Sequence, residues 1–207
     1  VSADHLDRHG GMAGYIEAKK LIFANQAASN IAIIGIDDAP SKTIYTSLKA
    51  EGVQHVIPIS SHARVDGGVY VLNGVLYDSL DGQHREILNL STAHALPGAH
   101  NWQNAAAAYA ATKSAGADEQ GILDGLNTYP GLPHRQELVA VIDGVSYVND
   151  SKATNADAAA RALACYDIIC WIAGGQTKDN SLDAITPFTD RIKTAYLIGE
   201  ATDVFAG

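Results

Sequence analysis

Sulfur is scarce in this chain, which holds one methionine, Met12, and two cysteines, Cys165 and Cys170, among 207 residues. With no Cys-x-x-Cys spacing and no second pair, neither a disulfide framework nor a cysteine metal site is indicated. The two thiols flank a predicted helix-to-strand turn and are expected to be buried, in a reducing compartment. Long apolar runs are missing too. Runs such as 31–36 and 168–173 fall far short of the ~20 residues that span a bilayer. Asp4, Asp7 and Arg8 interrupt any apolar start, so no signal-peptide pattern opens the chain. Positive charge is thin: 14 Lys and Arg against 23 Asp and Glu leave a net −9, which argues against a partner bound through nucleic-acid phosphates. Gly-x-Gly-x-x-Gly and Gly-Lys-Ser/Thr are both absent, so neither a dinucleotide fingerprint nor a phosphate loop lies within these residues.

What is present suffices for one large or two modest domains, since 47% of residues are hydrophobic. Met12, Tyr15, Ile16, Lys19, Ile22 and Phe23 recur at helical spacing over 11–25. A buried strand at 31–36, a helix at 41–50 and a strand at 54–60 form a parallel βαβ unit. Residues 68–72 and 75–78 alternate about Asn73-Gly74, a type I′ hairpin signal, and 85–90 adds a third antiparallel strand. Helices are predicted at 101–115 and 118–128, and Tyr129-Pro130-Gly131-Leu132-Pro133 reads as an interdomain linker. Beyond it lie a hairpin about Asp143-Gly144, an alanine-rich helix at 156–164, a strand at 168–173, a helix near 181–191 and a strand at 194–199. The fold class is α/β. Three strand ends, at 150–155, 174–178 and 199–200, are expected to share one sheet edge, the geometry of a doubly wound binding site.

The densest chemistry sits at Asn149-Asp150-Ser151-Lys152-Ala153-Thr154-Asn155, a polar loop between a strand and the alanine-rich helix. Ligands collect at such junctions, where unpaired N–H groups and the helix dipole converge. An ordinary cap would need only Thr154 or Asn155. Gly174-Gly175 allows close backbone approach, and Lys178 adds positive charge for a carboxylate or phosphate, although glycine pairs end many strands. Asn101 and Asn104, three apart near a helix start, suit a purine edge or a simple cap. Arg135, just past the linker, suits a phosphate or plain solvent. The opening Asp4-His5-Leu6-Asp7-Arg8-His9 packs acids and imidazoles, and fits oxygen-rich magnesium chemistry better than zinc. Lys19, flanked by Lys20, reads from spacing alone as a surface lysine.

Several of these motifs coincide in one family. Asp4-His5-Leu6-Asp7-Arg8-His9 followed by Tyr15-Ile16-Glu17-Ala18-Lys19 resembles the central domain of the Mur ligases. His100-Asn101-Trp102-Gln103-Asn104 and Gly131-Leu132-Pro133-His134-Arg135-Gln136-Glu137 are similar to segments of the same family, and Asp150-Ser151-Lys152-Ala153-Thr154-Asn155 to its D-glutamate-adding member. The resemblance spans essentially the whole chain. It implies that residues 1–130 are the C-terminal part of a central ATP-binding domain and 131–207 an incomplete Rossmann-like amino-acid-binding domain. It implies an ATP-dependent amide-forming ligase of peptidoglycan precursor synthesis, acting on UDP-N-acetylmuramoyl-L-alanine and D-glutamate through an acyl phosphate. Such an enzyme would be cytoplasmic and monomeric, without a nucleic-acid partner or membrane span.

The same resemblance implies residue roles. Lys19 would be a carbamylated magnesium ligand, with His5 at the metal and the acyl phosphate. Asn101 and Asn104 would meet adenine, Arg135 and Asp150 phosphate and ribose, and Lys152, Thr154 and Lys178 D-glutamate. A dianionic amino acid does require lysine charge and hydroxyl donors, and magnesium offsets phosphoryl charge. The family's phosphate loop and UDP-binding domain are expected upstream of Val1, and the rest of its glutamate pocket beyond Gly207. The chain is therefore expected to be a fragment, inactive alone. Two alternatives stand beside this reading: a non-catalytic nucleotide- or amino-acid-binding module, and another Mur-type ligase or folylpolyglutamate-type enzyme with a different substrate.

Overall fold

The computed structural model describes residues 6–93, 95–176 and 182–206, which cluster into two compact units: Val1–Ala93 with Ala99–Thr128, and His94–Gly98 with Tyr129–Gly207. The first unit begins with two short helices, Leu6–His9 (α1) and Met12–Lys20 (α2), and a 3-10 turn at Leu21–Phe23. Ile16 and Phe23 from this segment pack on the sheet core, while Leu21 and Ile22 stay exposed. Strand β1 (Ile31–Gly35), helix α3 (Ala39–Glu51) and strand β2 (His55–Ser60) follow, and β1 and β2 pair in parallel from Ile31↔His55 to Gly35↔Ile59. Helix α3 starts where Asp38 Oδ1 accepts the Ser41 amide at 2.8 Å, with Pro40 in its first turn. It ends at Gly52, whose left-handed φ of 65° closes the helix without a Cβ penalty.

Strands β3 (Val69–Leu72), β4 (Val75–Asp78) and β5 (Arg85–Asn89) complete a five-stranded sheet in sequential order. Asn73 and Gly74 both take positive φ, 51° and 81°, as a type I′ turn requires. Strand β3 also pairs in parallel with the end of β2, so the hairpin extends the βαβ sheet rather than standing apart from it. Helices α4 (Ala99–Ser114) and α5 (Glu119–Thr128) follow, and α4 packs across β1, β2 and β3. Side chains alternate along β1. Ala32 and Ile34 meet Ile44 and Leu48 of α3, whereas the bare Cα of Gly35 faces Gln103 of α4. The sheet is therefore covered on both faces, and Ile57, Val69, Val71, Leu76, Leu90 and Tyr109 are fully buried.

The second unit holds the hairpin β6 (Glu137–Ile142) and β7 (Val145–Asn149), helix α6 (Ala156–Leu163), strands β8 (Ile169–Gly174) and β9 (Ile192–Ile198), and helix α7 (Thr202–Ala206). Asp143 and Gly144 again take positive φ, 50° and 78°. Three expectations are corrected here. The strand ends at 150–155, 174–178 and 199–200 do not share one sheet, because β6–β7 is an antiparallel pair and β8–β9 a separate parallel pair. The helix expected near 181–191 is a 3-10 stretch at Thr186–Arg191, where Pro187 removes an amide donor and biases Thr186 away from the α region. The cysteines are not both buried: Cys165 is half-buried, while Cys170 shares the open face of β8 with Ile172 by strand alternation. Among the described residues no helix is long and apolar enough to cross a membrane.

Candidate functional site

The turn at 132–137 and the loop at 149–155 knit into one constellation in the second unit. Arg135 closes the turn by donating its amide to the Leu132 carbonyl at 3.2 Å. On either side of it, His134 and Gln136 sit in left-handed backbone, φ 65° and 45°. Non-glycine residues hold that conformation only where surrounding contacts over-determine it. Those contacts are present. The Gln136 amide donates to Asp150 Oδ1 at 3.0 Å, the Lys152 amide to the His134 carbonyl at 3.0 Å, and the His134 amide to Glu137 Oε2 at 2.8 Å. Asn149 Nδ2 lies 2.9 Å from His134 Nδ1. Arg135 and Asp150, fifteen positions apart in the sequence, are thus held together. Burial raises the Asp150 pKa, against the opposing effects of the Gln136 amide and the Arg135 charge.

The loop reaches α6 through main-chain hydrogen bonds, Ala153 N to Asp150 O and Thr154 N to Lys152 O, both 2.9 Å. Asn155 is the N-cap, with Oδ1 accepting the Ala158 amide at 2.8 Å. The ordinary capping role falls to Asn155, which leaves Lys152 and Thr154 exposed on a pinned loop. Lys178 lies outside the described residues, so its expected place beside them is not visible. The ends of β8 and β9 do lie side by side, with Gln176 Nε2 donating to Glu200 Oε2 at 3.3 Å. Gly174 has a local structural reason: an added Cβ would stand 1.8 Å from the Ile198 carbonyl oxygen.

In the first unit, Asn101 is half-buried and Asn104 exposed, both early in α4. Lys19 is exposed on α2 with Nζ 5.2 Å over the Tyr15 ring, while its neighbour Lys20 pairs with Glu17 at 3.1 Å. His5 lies outside the described residues. Among the described residues no group of three His, Cys, Asp or Glu side chains converges as a metal site. As an ammonium Lys19 offers a metal no ligand, so magnesium binding there depends on residues and chemistry beyond those described.

One acid escaped the sequence reading. Asp37 lies two residues past β1, at the carboxyl end of a parallel strand pair, and its carboxylate collects donors from Ser60, Ser61 and Gln103. Burial opposes ionisation there, yet those Ser60 and Ser61 hydrogen bonds, with the His62 charge, hold its pKa below the ordinary carboxylate value. The signal was available, since an acid follows immediately on the most apolar stretch of the chain.

The family model for the Mur ligase middle domain matches residues 1–112, more than half of the chain. The chain belongs to the Mur ligase family. It is 50% identical over 205 residues to the UDP-N-acetylmuramoylalanine–D-glutamate ligase of Rhodospirillum rubrum, which covers 99% of this chain and 43% of that protein. A relative of the same name in Caulobacter vibrioides is 50% identical over 206 residues, 100% of this chain and 44% of its own length. The chain therefore spans less than half the length of these curated Mur ligase relatives. Among solved structures it resembles MurC of Thermotoga maritima, with a TM-score of 0.61 and 16% identity over 96% of this chain and 49% of that one. A UDP-N-acetylmuramoyl-L-alanyl-D-glutamate–2,6-diaminopimelate ligase gives 0.61 and 23% identity over 95% of this chain and 42% of that one. Both likenesses bear on the fold, a mixed α/β architecture with parallel strands.

Proposed function

We propose that the chain is part of an ATP-dependent ligase that joins D-glutamate to UDP-N-acetylmuramoyl-L-alanine in peptidoglycan precursor synthesis. Residues 1–130 are assigned to its ATP-binding middle domain and 131–207 to its amino-acid-binding domain. The observation that carries this reading is the 132–155 constellation, in which backbone contacts fix Arg135 beside Asp150 and leave Lys152 and Thr154 exposed. Relatives 50% identical along the chain carry the name of that ligase, which supports the choice of amino acid.

In the proposed reaction the alanine carboxylate attacks the γ-phosphorus of ATP, giving an acyl phosphate and ADP. The D-glutamate amine then adds to the acyl carbon, and the tetrahedral intermediate expels phosphate as the amide forms. Asn101 and Asn104 would hold adenine, since a carboxamide both donates and accepts. Arg135 would take phosphate oxygens and Asp150 the ribose hydroxyls. Lys152, Thr154 and Lys178 would hold the two carboxylates of D-glutamate, and His5 and a carbamylated Lys19 would serve magnesium. The enzyme is proposed to be a cytoplasmic monomer. Phosphate release by the full-length enzyme tests this reading. Turnover is expected with D-glutamate and the UDP precursor; turnover with alanine or a diamino acid in its place would overturn the assignment. The 207-residue chain alone is expected to release no phosphate.

A further inference from the structure

We infer that Asp37 and Gln103 are positioning residues that lock the rotation of α4 to the end of β1 and so aim Asn101 and Asn104. This rests on the reading that those asparagines meet adenine. Asp37 Oδ2 accepts the Ser61 amide at 2.7 Å, the Ser61 hydroxyl at 3.0 Å and Gln103 Nε2 at 2.5 Å, while Oδ1 accepts the Ser60 hydroxyl. Three of these donors come from the end of β2, so the carboxylate is fixed to the sheet. Gln103 is the donor that comes from α4. Its carboxamide lies across Gly35, where an added Cβ would come within 3.1 Å of Cδ and Nε2. Tyr109 and Lys113 tie the later turns of α4 to Asp78 of β4, whereas Gln103 ties the first turns, which carry Asn101 and Asn104, to the end of β1.

The tie acts on the asparagines through helix geometry. At about 100° per residue, Asn101 and Asn104 share a face and Gln103 lies roughly 130° round from its middle. A side chain pinned on the sheet side therefore sets the direction in which the other face points. An asparagine tip roughly 6 Å from the axis moves about 1 Å for a 10° rotation. Displacements of about 1 Å are large enough to cost a binding contact. Neither Asp37 nor Gln103 needs to touch the nucleotide for this to hold.

The test is steady-state kinetics of the full-length enzyme with ATP varied, alongside melting temperatures. Gln103→Leu is expected to raise the ATP KM about tenfold, with kcat within about twofold and the D-glutamate KM unchanged. Gln103→Glu should match that defect at neutral pH, because two carboxylates then face each other, and recover as pH falls and the new acid donates again. Gly35→Ala, which displaces the carboxamide without removing it, should raise the ATP KM in the same direction. A Gln103→Leu enzyme with a wild-type ATP KM, with all KM values rising together, or a Gln103→Glu enzyme without recovery in acid, would overturn the inference. A wild type that releases no phosphate at all would instead overturn the ligase reading beneath it.

Discussion

Replacing Lys113 by methionine is expected to destabilise the first unit strongly, and only where Asp78 is ionised. Asp78 closes β4 with no exposed surface. Its Oδ2 receives Lys113 Nζ at 2.8 Å, Tyr109 OH at 3.0 Å and Arg85 Nη2 at 3.4 Å, and its Oδ1 the Leu80 amide at 2.8 Å. Burial alone would raise its pKa, but the hydrogen bonds from Lys113, Leu80 and Tyr109 bring it below the ordinary value. Burial, with the Asp78 carboxylate alongside, also pushes the Tyr109 phenol up to about 12, so it stays a donor. Removing one partner of a buried ion pair costs about 3–5 kcal/mol. Lys113 is 26% exposed and Arg85 remains, so about 2–3 kcal/mol is expected here. For a unit of this size roughly 3–6 °C accompany each kcal/mol, so the melting temperature should fall by roughly 6–18 °C.

The sign of the pH dependence makes this refutable. The folded Asp78 pKa lies below the unfolded value, so its stabilisation is present above about pH 4 and is lost as pH falls through the folded pKa. The Lys113→Met penalty, measured by circular dichroism on the 207-residue chain, should therefore shrink in acid. Asp78→Asn combined with Lys113→Met should recover much of the loss, since no buried charge is then left unpaired. A Lys113→Met chain that melts with wild type at neutral pH, or whose deficit is the same in acid, would refute the argument.

Three further outcomes are expected. Asn155→Ala should cost about 1 kcal/mol by removing the α6 cap, and Asn155→Asp should restore it, both read from thermal unfolding. Gly174→Ala should destabilise the β8–β9 pair by at least about 2 kcal/mol, because its Cβ would collide with the Ile198 carbonyl; an unchanged melting temperature would contradict this. Lys152→Ala in the full-length enzyme should raise the D-glutamate KM about tenfold or more while its melting temperature stays within about 2 °C of wild type.

Local chemistry made the turns and several strands of both units readable from the residues. Asn73-Gly74 and Asp143-Gly144 require left-handed backbone at both turn positions, and both hairpins form there. The apolar stretch at 31–36 becomes a parallel strand, bonded only to β2 among the described strands, and it is apolar throughout because both of its faces are covered, by α3 and by α4. What sequence periodicity could not give was pairing between elements. It placed the ends of β7, β8 and β9 on one edge, whereas β7 bonds only to β6 among the described strands. It also treated 181–191 by its helical spacing, which the effect of Pro187 on the preceding backbone overrides. Asp37 was passed over because its importance lies in Ser60, Ser61 and Gln103, which are 23, 24 and 66 positions away.

The candidate site shows the same division between what side chains announce and what the backbone arranges. Lys152 and Thr154 drew notice by their chemistry, yet the bonds that hold their loop run through main-chain atoms, Lys152 N to His134 O and Thr154 N to Lys152 O. Asn155 alone supplies the side-chain cap. A loop fixed in this way keeps its shape with any residue but proline at 152 and 154, so those two positions can be chosen for the ligand at little cost to stability. Asp150 differs, because its carboxylate both accepts the Gln136 amide and stands as the candidate ribose ligand. Substitution at 150 should therefore disturb the turn around Arg135 as well as any contact with nucleotide, whereas substitution at 152 or 154 should alter recognition alone. The contrast ties the left-handed backbone at Gln136 to the Asp150 carboxylate, as Glu137 holds that at His134, and it explains why an arginine in a turn and an acid at a strand end form one device.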